Sequence, residues 1–439
     1  MRVGSPGAGA GSMPSWGVNR SDLRIGVWNA RGPGLFFLVP FTIILVMQIL
    51  VWRLLREVVP LRLRKALPWG LILLHAPLVA YGLIRFSGHR FHGVGLWLRP
   101  LAWPARYFQA ISFVLILIWV LASMVWALWV RFRPKPGPEA IELGRRAFMR
   151  KATFGGLGTL AVVGGGGMIE AYGDPEISRF DLRFPDLPEG FEGFRILHLS
   201  DLHAGPLAGL KVLKRWRVLA ERERPDVLII TGDFVDSLPE ELDTFVEAFR
   251  DFSAPMGRFA ILGNHDYFTD PVPIWAGLEA MGFHCLENRH LVLERNGSKM
   301  AILGLQDPMA KSGRFRGVHF GPGPMPQDVA ARIPSDLWRL GLCHRPSNWN
   351  LALEAGSRLT LSGHTHGGQI NLIPGVSSAK ILGPYTWGIY RHSGDVLFVN
   401  RGLGVVGLPM RIAAPAEIAV ITLRRQEIPS LHQAENQIT

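Results

Sequence analysis

The sequence predicts an α/β domain over residues 190–425, preceded by a helical membrane region. Three observations carry that reading. Five clusters of Asp, His and Asn stand in the second half of the 439-residue chain, nearly all just after a short apolar run. Mixed polar and apolar stretches of helix length separate several of those runs, as when strands alternate with crossover helices, and such a sheet presents ligand-binding side chains at its strand ends. Residues 1–151, in contrast, hold long apolar runs bounded by arginines.

At this length two or three units are expected. The basic balance is uneven: residues 1–151 carry 20 Lys or Arg against 4 Asp or Glu, and residues 152–439 carry 27 against 31. A nearly neutral second half argues against a nucleic-acid partner. Cys285 and Cys343 are too few for a disulfide framework. Cys343 precedes His344 but reads as a small buried neighbour, not a thiolate ligand.

Gly34 to Trp52 is an uncharged run of 19 residues followed at once by Arg53 and Arg56. As a helix rising about 1.5 Å per residue it would span about 30 Å of hydrocarbon. Leu67 to Ile84 is a weaker span because Pro68, His75 and Pro77 interrupt it. Tyr107 to Val130 is a third, with aromatics near its ends as at a membrane interface. Core helices of a soluble domain are the competing reading, disfavoured by the arginines crowded at the run ends.

Ala152 to Ile169 is uncharged but rich in glycine, which weakens helix propensity, and follows Arg145-Arg146-Ala147-Phe148-Met149-Arg150-Lys151. Two readings stand: a fourth membrane segment, or a segment behind a twin-arginine-like signal. Seven basic residues in 131–151 and five in 53–65, against four in each of the other flanks, put those two loops in the cytoplasm. The expectation is a multi-pass protein of the cell membrane. Its second half lies on the extracytoplasmic face if 152–169 spans, the favoured reading, and in the cytoplasm if not.

Residues 170–189 read as an irregular linker containing Pro175, Pro185 and Pro188. Arg195 to Leu199 then reads as a strand delivering Asp201 and His203, and Leu210 to Arg224 as a helix. Asp226 to Ile230 is the next strand, delivering Gly232-Asp233 and Asp236. Its glycine permits a tight turn and its carboxylate has two oxygens that can bridge two cations. Glu240 to Phe252 reads as a helix, and Arg258 to Leu262 as a strand ending in Gly263-Asn264-His265-Asp266. His344 follows Trp338 to Leu342, and Gly363-His364-Thr365-His366 follows Ser357 to Leu361. Imidazole, carboxylate and amide oxygen together form a donor set suited to Mn, Zn, Fe or Co more than to Ca. Residues 426–439 read as a polar tail.

Taken in order, D-x-H, G-D-x-x-D, G-N-H-D, a lone His and G-H-x-H resemble the calcineurin-like metallophosphoesterase superfamily. The extension Gly367-Gly368-Gln369, with Val399 to Gly404 and Pro415 to Ile418, resembles its membrane-associated branch, which includes phosphodiesterases and a UDP-diacylglucosamine pyrophosphatase of lipid A synthesis. The resemblance implies a two-sheet α/β sandwich with helices outside, and the tail strands Asp395 to Asn400 and Glu417 to Leu423 are compatible with its second sheet. It implies one ion held by Asp201, His203, Asp233 and His366 and a second by Asp233, Asn264, His344 and His364, manganese being the first choice. His265 would be the acid or transition-state donor, oriented by Asp236. Ser237 stands where phosphoprotein phosphatases carry a phosphate-binding Arg, which weakens a protein-phosphatase reading. The implied reaction is hydrolysis of a phosphodiester, phosphomonoester or pyrophosphate; the several expected spans, which would fix the site near the bilayer, point to a lipid-linked or envelope substrate with membrane lipids as neighbours. Protein partners stay unassigned. The rival reading is a membrane scaffold whose phosphoesterase-like domain has lost catalysis.

Overall fold

A computed structural model describes residues 138–312, 319–371 and 375–426, and in the N-terminal part 45–53, 59–86, 118–132 and a few single positions. The chain divides into a unit of residues 27–166 and a second unit formed mainly by residues 167–439.

In the first unit, residues 45–53 are helical and Leu67–Phe86 is a helix with Pro77 inside it. Residues 118–131 are helical as well. Residues 34–44, most of 107–117, and the tail beyond 426 lie outside the described residues. The helix Pro138–Tyr172 runs through the 152–169 segment without a break. Its portion Ala147–Tyr172 is, among the described residues, the one helix long and apolar enough to cross a membrane. The glycines therefore do not interrupt helix here.

In the second unit, two six-stranded sheets face each other. Their strands, in chain order, are β1 (Glu176–Phe184), β2 (Arg195–Leu199), β3 (Val227–Thr231), β4 (Arg258–Ile261), β5 (Phe283–Cys285), β6 (Arg289–Arg295), β7 (Ser298–Gly304), β8 (Trp338–Leu342), β9 (Leu359–Ser362), β10 (Gly388–His392), β11 (Asp395–Val399) and β12 (Glu417–Arg425). One sheet has the order β1-β12-β2-β3-β4-β5 and the other β10-β11-β9-β8-β7-β6. Strands β2 to β5 run parallel, as do β7, β8, β9 and β11.

Strands of this kind are buried on both faces, so they read as continuous apolar runs. Alternate side chains take opposite sides. Ile196, Ile229, Phe259 and Ile261 meet Ile302, Leu340, Leu361 and Phe398 between the sheets. Leu197, Leu228 and Ile230 instead pack outward with Leu213 and Trp216 of the helix Leu210–Glu221 and Phe245 of the helix Leu242–Phe249. The second sheet is covered likewise, Leu303 and Val399 packing with Trp349 and Ala352.

Two expectations change. The 170–189 linker contains β1, whose prolines at 175 and 185 flank the strand instead of interrupting it. The tail strand β12 belongs to the first sheet, between β1 and β2, and only β11 joins the second. That placement follows from its pairing, parallel to β1 and antiparallel to β2.

Candidate metal centre

Every residue expected to hold metal sits just beyond the C-terminal end of a parallel strand. Asp201 and His203 follow β2, Asp233 follows β3, Asn264 follows β4, His344 follows β8, and His364 and His366 follow β9. The two sheets thus contribute ligands from both sides of one crevice. Asp201, His203, Asp233, His364 and His366 all have positive φ, between 45° and 71°. Non-glycine residues rarely adopt that conformation, and it clusters where a site demands it.

These residues form two clusters, Asp201 with His203 and His366, and Asp233 with His344 and His364. In the first, His203 Nε2 lies 3.2 Å from His366 Nε2, and His366 Nε2 lies 3.5 Å from Asp201 Oδ1. In the second, His344 Nε2 lies 3.1 Å from Asn264 Oδ1. Asp233 Oδ2 belongs to both, 3.6 Å from His203 Nε2 and 3.4 Å from His344 Nε2. Ligand atoms about 2.1 Å from a common ion sit roughly 3.0–3.5 Å apart, so the residues present fit two divalent cations that share one carboxylate.

Main-chain contacts hold the clusters in place. Asp233 Oδ1 accepts from the His265 amide at 2.8 Å, which leaves Oδ2 facing the crevice. The buried Asp266 carboxylate accepts from the amides of Asp233, Phe234 and Gly263 at 2.8–2.9 Å and fastens the two ligand turns together. Asp201 accepts from the His364 amide at 2.9 Å. His344 Nδ1 donates to the Thr231 carbonyl at 2.7 Å, and this turns Nε2 toward the cluster. Gly363 admits no side chain, since a Cβ there would stand 2.2 Å from Asp201 Oδ2.

His265 Nδ1 lies 2.8 Å from the Asp236 carbonyl. Asp236 thus meets His265 through its main chain, and its carboxylate, which accepts from Ser237 Oγ at 2.6 Å, also has an oxygen within 4.8 Å of ring nitrogens of His265 and His203. The amides of Asp236, Ser237 and Leu238 converge on Glu241.

The electrostatics follow from burial and from Asp233. Burial drives His203 down to about 4 and His364 to about 3, leaving both imidazoles neutral and able to donate a lone pair. Burial also raises Asp201, to about 6. Burial opposes charge on Asp233 too, but His344 and His265 hold it well below the usual carboxylate range. Reciprocally, and against burial, Asp233 lifts His344 to about 10. His265 is raised as well, burial being outweighed by Asp233 and the Asp236 carbonyl. Cys343 is buried with its thiol pushed up to about 12, mainly by burial, as befits a packing neighbour.

Three features carried no assigned role in the sequence reading. Asp266 stands inside a quoted motif, but its role is to bind amides, which spacing does not reveal. Arg411 is fully buried and donates to the carbonyls of Ala414, Gly402 and Gly404 at 2.6–2.9 Å. It thereby fixes the loop whose Leu403 and Gly404 amides bind the Ser200 and Asp201 carbonyls. A lone cation between Met410 and Ile412 was its only signal. Arg345, directly after His344, is held by Asp307 through Nε at 2.8 Å and contributes to keeping His364 neutral.

A family model described as calcineurin-like phosphoesterase matches residues 194–368. An uncharacterized metallophosphoesterase of Bacillus subtilis is 32% identical over 296 residues, covering 64% of this chain and 98% of the relative. A transmembrane protein with metallophosphoesterase domain from Danio rerio is 32% identical over 266 residues, covering 59% of this chain and 60% of its own length. An uncharacterized metallophosphoesterase of Aquifex aeolicus is 27% identical over 249 residues, covering 56% of this chain and 91% of the relative.

Proposed function

Because this chain belongs to the calcineurin-like phosphoesterase family and is a hydrolase of that family, we propose that it is a membrane-anchored two-metal phosphoesterase acting on a lipid or cell-envelope phosphoester. The observation that carries the two-metal part is Asp233 Oδ2, which stands between the clusters within 3.6 Å of an imidazole of each. Asp201, His203 and His366 would hold one ion, and Asn264, His344 and His364 the other.

Two divalent cations, with manganese the first choice, would lower the pKa of a water between them and neutralise charge on the phosphoryl oxygens. The chain's own residues do the rest. Asp233 keeps its charge against burial, so the clusters stay close together. His265, outside both ligand sets and held at Nδ1 by the Asp236 carbonyl, is the donor of a proton to the departing oxygen. The Asp236 carbonyl fixes the ring so that Nε2 carries that proton toward the substrate.

The membrane part rests on the apolar stretch Ala147–Tyr172. On the charge distribution given above, the catalytic domain lies on the extracytoplasmic face, where lipid and wall phosphates are the available esters. The purified full-length chain should hydrolyse an activated aryl phosphodiester or phosphomonoester when supplied with Mn. Folded protein that is inert with every divalent metal would support the inactive-scaffold reading instead.

Metal loading should release protons. Against burial, Asp233 raises His344 to about 10, so its ring should carry a proton at pH 8 in metal-free protein, and it can bind a cation only as the neutral ring. Affinity for Mn therefore rises with pH toward 10. Calorimetry in two buffers of different ionisation enthalpy reads the release directly, and buffer-independent heats would mean that His344 is already neutral in the metal-free protein.

A further inference from the structure

Resting on the membrane-anchored reading above, we propose that residues 375–389 form a docking finger that seats the metal crevice on an anionic phospholipid bilayer. The finger is apolar where it should be polar. Ile381 is 90% exposed and Leu382 60%, and Val376 and Ile389 of the same segment are exposed as well. Among the described residues from 168 onward, the other exposed large apolar side chains are Met168, Ile169 and Val218. Exposed apolar side chains gathered in one short segment, unlike ones scattered singly, mark a candidate site of interaction.

The base of the finger is tied to the ligand loop. Ser377 Oγ donates to the Gly367 carbonyl at 3.0 Å, and the Ser378 amide donates to Asn371 Oδ1 at 2.9 Å. The Asn371 amide group in turn donates to Gly367 at 3.0 Å. The exposed tip is therefore held at a fixed place relative to His364 and His366.

Two facts select a bilayer as the occupant. The first is continuity with the apolar helix. The Gly167 carbonyl accepts from the Arg411 amide, and a Cβ at Gly167 would stand 3.0–3.2 Å from Arg411, Met410 and Ile412. Ile412 bridges Ile370, and the Gln369 side chain donates to the Val406 and Leu408 carbonyls at 3.0 Å. Met168 and Ile169, at the end of the apolar helix, and the finger thus hang on the same pair of loops. The second is charge. Residues 369–394 contain Lys380 and Arg391, both exposed, and no Asp or Glu. Half-buried Tyr385 and Trp387 flank the tip. An apolar tip with aromatic and basic neighbours and no acid suits the headgroup boundary of anionic lipid.

The test uses the full-length protein in phosphatidylcholine–phosphatidylglycerol vesicles. Both native cysteines are buried, so Ile381→Cys supplies the accessible thiol for an environment-sensitive NBD fluorophore. Lys299→Cys, on β7 beyond the opposite end of the parallel strands, is the control. The label at 381 should shift to the blue and be quenched by spin-labelled lipid, with the label at 299 unaffected. A water-like spectrum at both sites would overturn the proposal. So would a shift that needs no lipid and grows with protein concentration, which would mean a second copy covers the finger. In addition, the double change Ile381→Asp, Leu382→Asp should lower turnover of a vesicle-presented phosphoester by roughly tenfold or more. Turnover of a soluble aryl ester should be unchanged, and equal loss on both substrates would count against docking. If the parent protein hydrolyses neither ester while the 381 label is still quenched, docking stands and the enzymatic reading fails.

Discussion

Replacing Asp233 with alanine is expected to strip both metal ions and lower turnover by more than roughly 1000-fold, the scale seen when residues that act as a unit lose a member. Its Oδ2 is the atom common to the two clusters, so neither ion keeps a full ligand set. The buried imidazolium of His344 also loses the anion that holds its proton, and an uncompensated buried charge costs several kcal/mol. Because that could unfold the domain, Asp233→Asn is the companion variant. It preserves shape and an oxygen for the His265 amide but cannot bridge two cations as an anion. Metal analysis of folded protein should show occupancy reduced in both variants. Full occupancy by two ions in Asp233→Asn would mean that the carboxylate is not shared.

The second large effect is expected at His265. His265→Ala should keep its metal and lose roughly 100-fold or more in turnover, as when a positioned acid is removed. The ring contacts the Asp236 carbonyl through Nδ1 and lies edge-on to His203 at 4.6 Å between centroids, beside the metal clusters. Its main-chain amide, which binds Asp233, survives the substitution. The loss should be smallest for esters with good leaving groups, which need little protonation. A uniform loss accompanied by loss of metal would instead make His265 a ligand.

Some of this was legible in the chain and some was not, for physical reasons. Strand β2 reads correctly to the residue, because a strand buried on both faces is a mainly apolar run, here ended by a polar cluster. Strand β1 was hidden by its flanking prolines and by a half-exposed pattern, since it lies at a sheet edge. The β6–β7 hairpin also escaped, although Asn296-Gly297, both with positive φ, is the turn pair that such a hairpin favours. The residues of the two clusters stood out because imidazole and carboxylate at strand ends are chemically distinctive. Asp266, Glu241 and Arg411 did not, because their partners are main-chain amides and carbonyls that only the folded path brings together. Exposure of Ile381 and Leu382 was equally invisible, since an apolar pair in a sequence reads as core.

The bridging carboxylate is most directly tested by electron paramagnetic resonance of the full-length protein titrated with Mn(II). Two ions held by Asp233 between them should give a spin-coupled pair at saturation, with a stoichiometry of two per chain, and Asp233→Asn should abolish the coupling. A single uncoupled Mn(II) per chain at saturation, in folded and active protein, would contradict the two-metal account.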